Sequence, residues 1–403
     1  HTLSSLAHLG PRAFTEISGE VVQVAASIVL AQQVSGYRPI FSRLVDGDSE
    51  SKRSRLLSGE CRFDSMLIDD FLGITLCPVT YWLPHRIVEV FSEGYALEDV
   101  SDQRQGLATG DDDTFIRCWH EVPVDGINFA ATEFPCGHPK WYPFIKGGSF
   151  RKWYGNNEHV IRFDPASYQT LSEQGNCLPS RQYYLRESLV WSDITSCSFG
   201  ARFNPAGKVF ATGALSAFPH NLHHTNYVLA YLNSVVHNTI IGAISSGIHY
   251  SVGYVDKTPI IIDEPSVTAM QDQVGEAIEI SRHDWDMSEE SWDFKRNPLL
   301  GEQFRASPTV AKALSEFHAV CVEQRDRLRQ IEEQLNSEFL RLYKLEGDLS
   351  STVDETEIVL RQPNSEEDIE HLVSFSIGCM MGRYSLGAQG LISAQSGNGG
   401  FDS

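Results

Sequence analysis

The chain has 403 residues, 41% of them hydrophobic, which is enough for two or three domains with real cores. Its formal charge of -21 and pI near 5.0 exclude a surface that attracts polyanions everywhere, but they leave room for a local basic groove. Residues 131–210 carry nine Lys/Arg against six Asp/Glu and residues 271–390 twelve against twenty-four, so the acidity sits mostly in the last third.

Eight cysteines, at 61, 77, 118, 136, 177, 197, 321 and 379, form no CxxC pair and no disulfide-like spacing. They read as reduced thiols of a cytoplasmic protein. No apolar run reaches transmembrane length and no signal peptide is visible, so no membrane partner is expected. The opening at His1 reads as the interior of a longer protein.

In chain order, "GEVVQVAASIVLAQQ" (19–33) predicts a buried strand, and Gly10-Pro11 before it a turn. "DSESKRSRLL" (48–57) suits a surface helix with salt-bridge spacing. "LGITLCPVTYWLP" (72–84) ends as a Pro-bounded strand or loop. From about Gly106 to Ile262, short β-like runs alternate with Gly, Pro, Asn and Asp clusters, the texture of a loop-rich α+β domain. Within it, "YVLAYLNSVVHNTIIGAI" (227–244) predicts one buried helix. After Pro265 the pattern is helical and acidic. Leu314, Phe317, Cys321, Leu328, Ile331, Leu335 and Leu342 keep a three-four spacing, with Gln324 and Glu338 in the gaps. A second helix over 366–385 places Ile369, Leu372, Val373 and Ile377 on one face, and the Gly/Ser-rich tail predicts disorder.

The stretch with most chemical content is "KWYPFIKGGSFRKWYGN" (140–156). Gly147-Gly148 would let backbone N–H groups approach a phosphate. Lys140, Lys146, Arg151 and Lys152 would neutralise its neighbours, and Trp141, Tyr142, Trp153 or Tyr154 would stack on bases or sugars. The competing structural account is a hairpin whose aromatics are core and whose cations are solvated. In "QGLATGDDDTFIRCWHEV" (105–122), Thr109-Gly110 and three aspartates lack the ligand spacing of a calcium loop. They read instead as an Asx-type turn leading into a strand. "HNLHH" (220–224) and "CGH" (136–138) have no second half at zinc spacing, so no metal is expected. No P-loop, GxSxG or HExxH occurs, and no catalytic residue is assigned.

Seven stretches, "HLGPRAFTEISGEVVQ", "RLVDG", "QGLATGDDDTFIRCWHEV", "KWYPFIKGGSFRKWYGN", "WSDITSCSFGARFNPAGKVF", "SWDFKRNPLL" and "SIGCMMGRYSLGAQGL", run in the same order from residue 8 to residue 391. Together they resemble the C-terminal half of the PglX family, the adenine-specific DNA methyltransferases of bacterial BREX phage-defence systems. The resemblance implies an α+β chain with three parts: the last strands of a Rossmann-like methyltransferase domain, a mixed α/β target-recognition domain and a helical C-terminal region. The implied boundaries are 1–35 for the methyltransferase edge, 36–104 for a connecting segment, 105–264 for DNA target recognition, 265–390 for the acidic helical domain and 391–403 for a flexible tail. S-adenosylmethionine would be bound upstream, in the domain that carries the family's Asn-Pro-Pro-Tyr motif. Neither that motif nor a Gly-rich cofactor loop occurs in this chain, so the fragment alone is expected to be inactive and no cofactor-binding residue is carried over.

The implied partners are double-stranded DNA and other BREX defence proteins. The DNA-contact set is Lys140, Lys146, Gly147, Gly148, Arg151, Lys152, Trp153, Tyr154, Ser196, Ser198, Arg202 and Ser251, with Arg202 as a reader of a guanine edge or a strand-end surface arginine. The alternative function is a stand-alone DNA specificity subunit without catalytic activity. A protein-interaction scaffold resting on the acidic helical region is the third reading.

Overall fold

A computed structural model describes residues 1–14, 23–74, 78–174, 177–195, 197–245, 248–304, 307 and 309–392. The fold is mixed α+β and forms two compact units, one from His1–Tyr95 with Tyr343–Asp348 and the other from Ala96–Leu342 with Leu349–Ser403.

The first unit is built on a four-stranded sheet of β1 (Thr2–Gly10), β2 (Val24–Leu30), β3 (Ile40–Arg43) and β4 (Arg62–Phe63) in the order β2-β1-β3-β4. β2 runs antiparallel and β3 parallel to β1. The strand expected within 19–33 exists, but it is not buried. As the outer strand it has one neighbour, and Ile28 and Val29 are exposed. Residues 19–22 of that run lie outside the described residues. The core lies on the other side of β1, where Phe41 stacks on Tyr81 at 4.4 Å and Phe71 meets Phe41 edge-on.

Helix α1 (Ser49–Ser58) starts where the Asp48 side chain accepts from the Ser51 N–H and ends at Gly59 in the left-handed region. It is a surface helix except at Lys52. That ammonium is buried, donating to the carbonyls of Leu9 at 2.6 Å and of Pro11. Its role is to satisfy carbonyls left open at the end of β1, which charge spacing does not reveal. α2 (His85–Glu93) packs Ile87, Val88 and Val90 inward.

The second unit holds two four-stranded sheets. One has the order β10-β9-β12-β5 and is antiparallel throughout, formed by β5 (Ser101–Arg104), β9 (Ser188–Ser192), β10 (Ala201–Asn204) and β12 (Ala214–Pro219). The other has the order β11-β7-β8-β6, from β6 (Ile116–Cys118), β7 (Trp141–Ile145), β8 (His159–Arg162) and β11 (Val209–Phe210). One apolar cluster draws on both sheets, with Tyr142, Phe144, Phe163, Val190, Phe210 and Phe218 at its centre, and α3 (Pro165–Glu173) adds Leu171.

The single helix expected over 227–244 is two, α4 (Thr225–Asn233) and α5 (Val235–Ile244), bent by 65°. Ser234 makes the break. It ends α4 and caps α5, its hydroxyl accepting from the His237 N–H while donating to the Tyr231 carbonyl at 2.7 Å. Among the described residues no single helix is long and apolar enough to cross a membrane.

α6 (Glu264–Asp286) and α7 (Val310–Tyr343) are the long helices of this unit, followed by α8 (Ser365–Met380). Phe317, Cys321, Leu328, Ile331 and Leu335 are buried on α7, as their spacing predicts. The same helix also buries Arg325, Glu332 and Asn336, a polar seam that apolar periodicity does not show. On α8 the expected apolar face is turned to solvent: Ile369, Val373 and Ile377 are exposed, and Phe375 and Asp368 are buried instead.

Candidate functional site

Lys146, Gly147 and Gly148 follow β7 directly, and the strand's register against β8 and β11 fixes where they emerge. Both glycines hold positive φ, 108° and 114°. A Cβ on Gly147 would lie 2.9 Å from the Gly213 carbonyl oxygen, and one on Gly148 2.6 Å from the Asn156 side-chain nitrogen. Only glycine fits here. Three successive carbonyls of this turn accept side-chain hydrogen bonds, from Arg202 (Gly147, 3.4 Å), Ser192 (Gly148, 3.0 Å) and Asn156 (Ser149, 2.8 Å). The N–H groups of Gly147, Gly148 and Ser149 have no hydrogen-bond acceptor among the described residues.

Residues 107–112 line a cleft of about 420 Å³ with Lys146, Thr212 and Gly213. Thr212 donates to the Leu107 carbonyl at 2.9 Å, and Leu107 to Phe210 at 3.0 Å. Asp111 caps a short helical turn by accepting from the Thr114 N–H at 3.1 Å, then the chain enters β6, as the Asx reading expects. Asp112 reaches across the cleft to Lys146 at 2.8 Å and also accepts from the Thr109 hydroxyl. Burial pushes the Asp112 carboxyl up, but the Lys146 and Thr109 bonds outweigh it and hold it below the usual carboxylate range. Lys146 therefore rests against an anion that belongs to the chain. Lys140, at the start of β7, is exposed.

The cations and rings that follow have different surroundings. Lys152 is 2% exposed; its ammonium donates to Glu332 at 2.7 Å and Glu357 at 3.2 Å. Burial lowers the Lys152 pKa, yet the two carboxylates prevail and hold it above the ordinary lysine value. Trp153 is buried with φ 68°, its indole N–H donating to the other oxygen of Glu332 at 2.8 Å. Tyr154 is buried beneath the Arg282 guanidinium at 4.9 Å, and desolvation pushes its phenol up to about 12. Arg151 lies over the Trp285 ring at 4.8 Å and 3.7 Å from Asp284. Arg202 is buried behind Gly147, its pKa lowered to about 10 by burial and then by Arg151. Trp141 and Tyr142 are also buried.

As placed, Lys152, Trp153, Tyr154 and Arg202 offer no face to a phosphate or a base. They anchor the turn to α6, α7 and the 355–359 segment. Ser198 belongs to the same network, donating to Glu357 at 2.7 Å. Ser251 lies apart, at the start of the short helix Val252–Val255, and Ser196 lies outside the described residues.

Sequence reasoning missed Glu332, Glu357 and Ser192, which hold the 146–153 segment from distant parts of the chain, and Asn156, which holds it from within the same stretch. The structural alternative of the sequence reading, core aromatics with solvated cations, describes the rings, but Lys152 is buried against Glu332 instead.

No protein-family model matches the chain. Among solved structures it is similar to the type IIL restriction-modification enzyme MmeI in complex with DNA, with TM-score 0.46 and 11% identity over 93% of this chain and 46% of that one. The type IIG restriction endonuclease BpuSI gives a TM-score of 0.34 and 14% identity over 68% and 39%. Sequence similarity is far stronger. The chain is 32% identical over 405 residues to the adenine-specific methyltransferase PglX of Lacticaseibacillus casei (strain Zhang), and 32% identical over 418 residues to the adenine-specific methyltransferase BrxX of Escherichia coli O9:H4 (strain HS). The matches cover 96% and 99% of this chain and 33% of each relative. This chain thus resembles the PglX and BrxX adenine-specific methyltransferases along nearly its whole length, and it spans about a third of theirs.

Proposed function

We propose that this chain is the DNA target-recognition part of a site-specific, S-adenosylmethionine-dependent adenine-N6 methyltransferase of BREX phage defence. The observation that carries the reading is the end-to-end similarity to PglX and BrxX. The residues present do not fit the cofactor: there is no Gly-rich loop after an opening strand and no Asn-Pro-Pro-aromatic segment to hold a flipped adenine. Methyl transfer therefore belongs to the rest of the protein, and the work of this chain is to bind duplex DNA.

The turn at Lys146–Ser149 is the proposed phosphate contact. Its unpaired N–H groups would receive phosphate oxygens, with Lys146 released from Asp112; Lys140, before the other end of β7, would meet a separate phosphate. Arg151, Lys152, Trp153, Tyr154, Ser198 and Arg202 hold that turn in place from behind. Such contacts fix register on the duplex without reading bases.

The test is fluorescence anisotropy of labelled duplexes at several salt concentrations, with the chain and with Lys140→Glu/Lys146→Glu. The expected result is weaker binding on every sequence, with the salt slope reduced by about one to two, near one for each phosphate no longer neutralised. Unchanged affinity and slope would remove this turn from the interface. Separately, the full-length gene product should transfer labelled methyl groups from S-adenosylmethionine to DNA adenine; failure to do so overturns the enzymatic part.

A further inference from the structure

α8 buries Asp368 and Phe375, and Phe375 stacks on Tyr384 at 5.0 Å. Its outer side carries Ile369, Val373, Ile377 and Met380, all exposed, with Met380 at 87%. Spacings of four, four and three residues set these side chains in one row, about 16 Å long at ~1.5 Å per residue. Beside the row lies a groove of about 640 Å³, with Val122, Val124, Ile377 and Met381 among its walls. Arg383, His120 and His371 also line the groove, but carboxylates outnumber the arginine around it. Glu289 and Glu290 line the groove, and Glu366, Glu367 and Glu370 are exposed on α8 itself. Ser374 donates to Glu289 at 2.6 Å, which fixes that margin to the helix.

We propose that this face docks a protein segment: an amphipathic helix whose apolar row is flanked by lysines and arginines. Charge selects the occupant. Duplex DNA, or a second copy of a chain of formal charge -21, would bring negative charge against five glutamates. A basic helix brings the opposite sign. Length selects it too, since the row spans three helical turns, the footprint of a helix laid in a groove. Met380 and Met381 supply an unbranched, adaptable surface at its end.

The probe is a labelled helical peptide of leucine and lysine with its leucines in one row, compared with a matched leucine–glutamate peptide. The full chain should bind the first saturably, more weakly as salt rises, and should not bind the second. Val373→Glu/Ile377→Glu changes only exposed side chains, so its circular dichroism and melting should match the parent while affinity for the basic peptide falls roughly tenfold or more. Glu289→Lys/Glu290→Lys should shift preference toward the acidic peptide. Three outcomes overturn the proposal: no binding of the basic peptide, equal binding by the Val373→Glu/Ile377→Glu chain, or equal binding of both peptides by the parent. Self-association in sedimentation that disappears in the same variant would also overturn it, by assigning the face to a second copy.

Discussion

Glu332 divides its two oxygens between neighbouring residues of one loop, the Lys152 ammonium and the Trp153 indole. Glu332→Ala would leave a buried ammonium facing only Glu357 and an indole N–H without a partner. The expected loss is ~3–5 kcal/mol, read as a lower denaturation midpoint. Lys152→Met in the same background should recover part of it, because the uncompensated charge is then gone. Lys208 shows the opposite balance. Its ammonium is buried between the Trp292 ring at 5.3 Å and the Tyr154 ring at 5.9 Å, with the Asn157 side-chain oxygen at 3.2 Å. Desolvation pushes its pKa down to about 7. Between pH 7 and the ordinary lysine value near 10.5, the unfolded chain holds this proton and the folded chain does not, so this group makes stability rise with pH. Lys208→Met should therefore stabilise the protein at pH 7, by an amount on the order of 3 kcal/mol that shrinks toward pH 10. Urea denaturation of both proteins across that range measures it.

The break at Ser234 shows what element-level reading misses. Apolar residues dominate from Tyr227 to Ile244, and the polar pair Asn233-Ser234 inside the run does not by itself announce a bend. What decides is a serine preceded by an asparagine: Asn233 bonds the Ala201 backbone at both its oxygen and nitrogen, and Ser234 caps the next helix. Ser234→Ala should cost ~1 kcal/mol, seen as a lower unfolding midpoint, by removing the cap from α5. The β-run at 24–30 and the long helix at 310–343 were legible because local pattern determines element type. Their burial was legible only on α7. β2 is exposed because of its place in the sheet order, and α8 because Phe375 rather than its apolar stripe faces the core. The candidate site was half legible in the same way. Lys146 lines the cleft, and Gly147-Gly148 form the turn that follows it. The fate of Lys152 and Trp153 was set by Glu332, 180 and 179 residues away.

At the scale of the whole molecule, an acidic chain keeps a positively charged stretch by pairing most of its cations internally. Lys146 is the proposed contact held by the most accessible partner, Asp112, with both side chains substantially exposed. In the proposed DNA complex the resting salt bridge would open before a phosphate took its place, so the chain's own carboxylate would compete with DNA. Asp112→Asn removes that competitor and one unit of repulsion. Affinity for duplex DNA should rise severalfold at low salt, and the gain should shrink as salt screens both contacts. Anisotropy titrations at two ionic strengths distinguish this from a loop whose charge has no bearing on DNA.

The carboxylate of Glu332 also sets a rule for exchanging parts between relatives. A loop taken from another protein and placed at residues 146–157 brings its own residues at 152 and 153, but not the helix that neutralises them. If those two positions differ, the recipient's Glu332 is left buried without its cation, and the graft is lost through stability before its specificity can be read. Loop, long helix and the Glu357 segment form one bonded unit, and transplants that move all three together are the ones expected to fold.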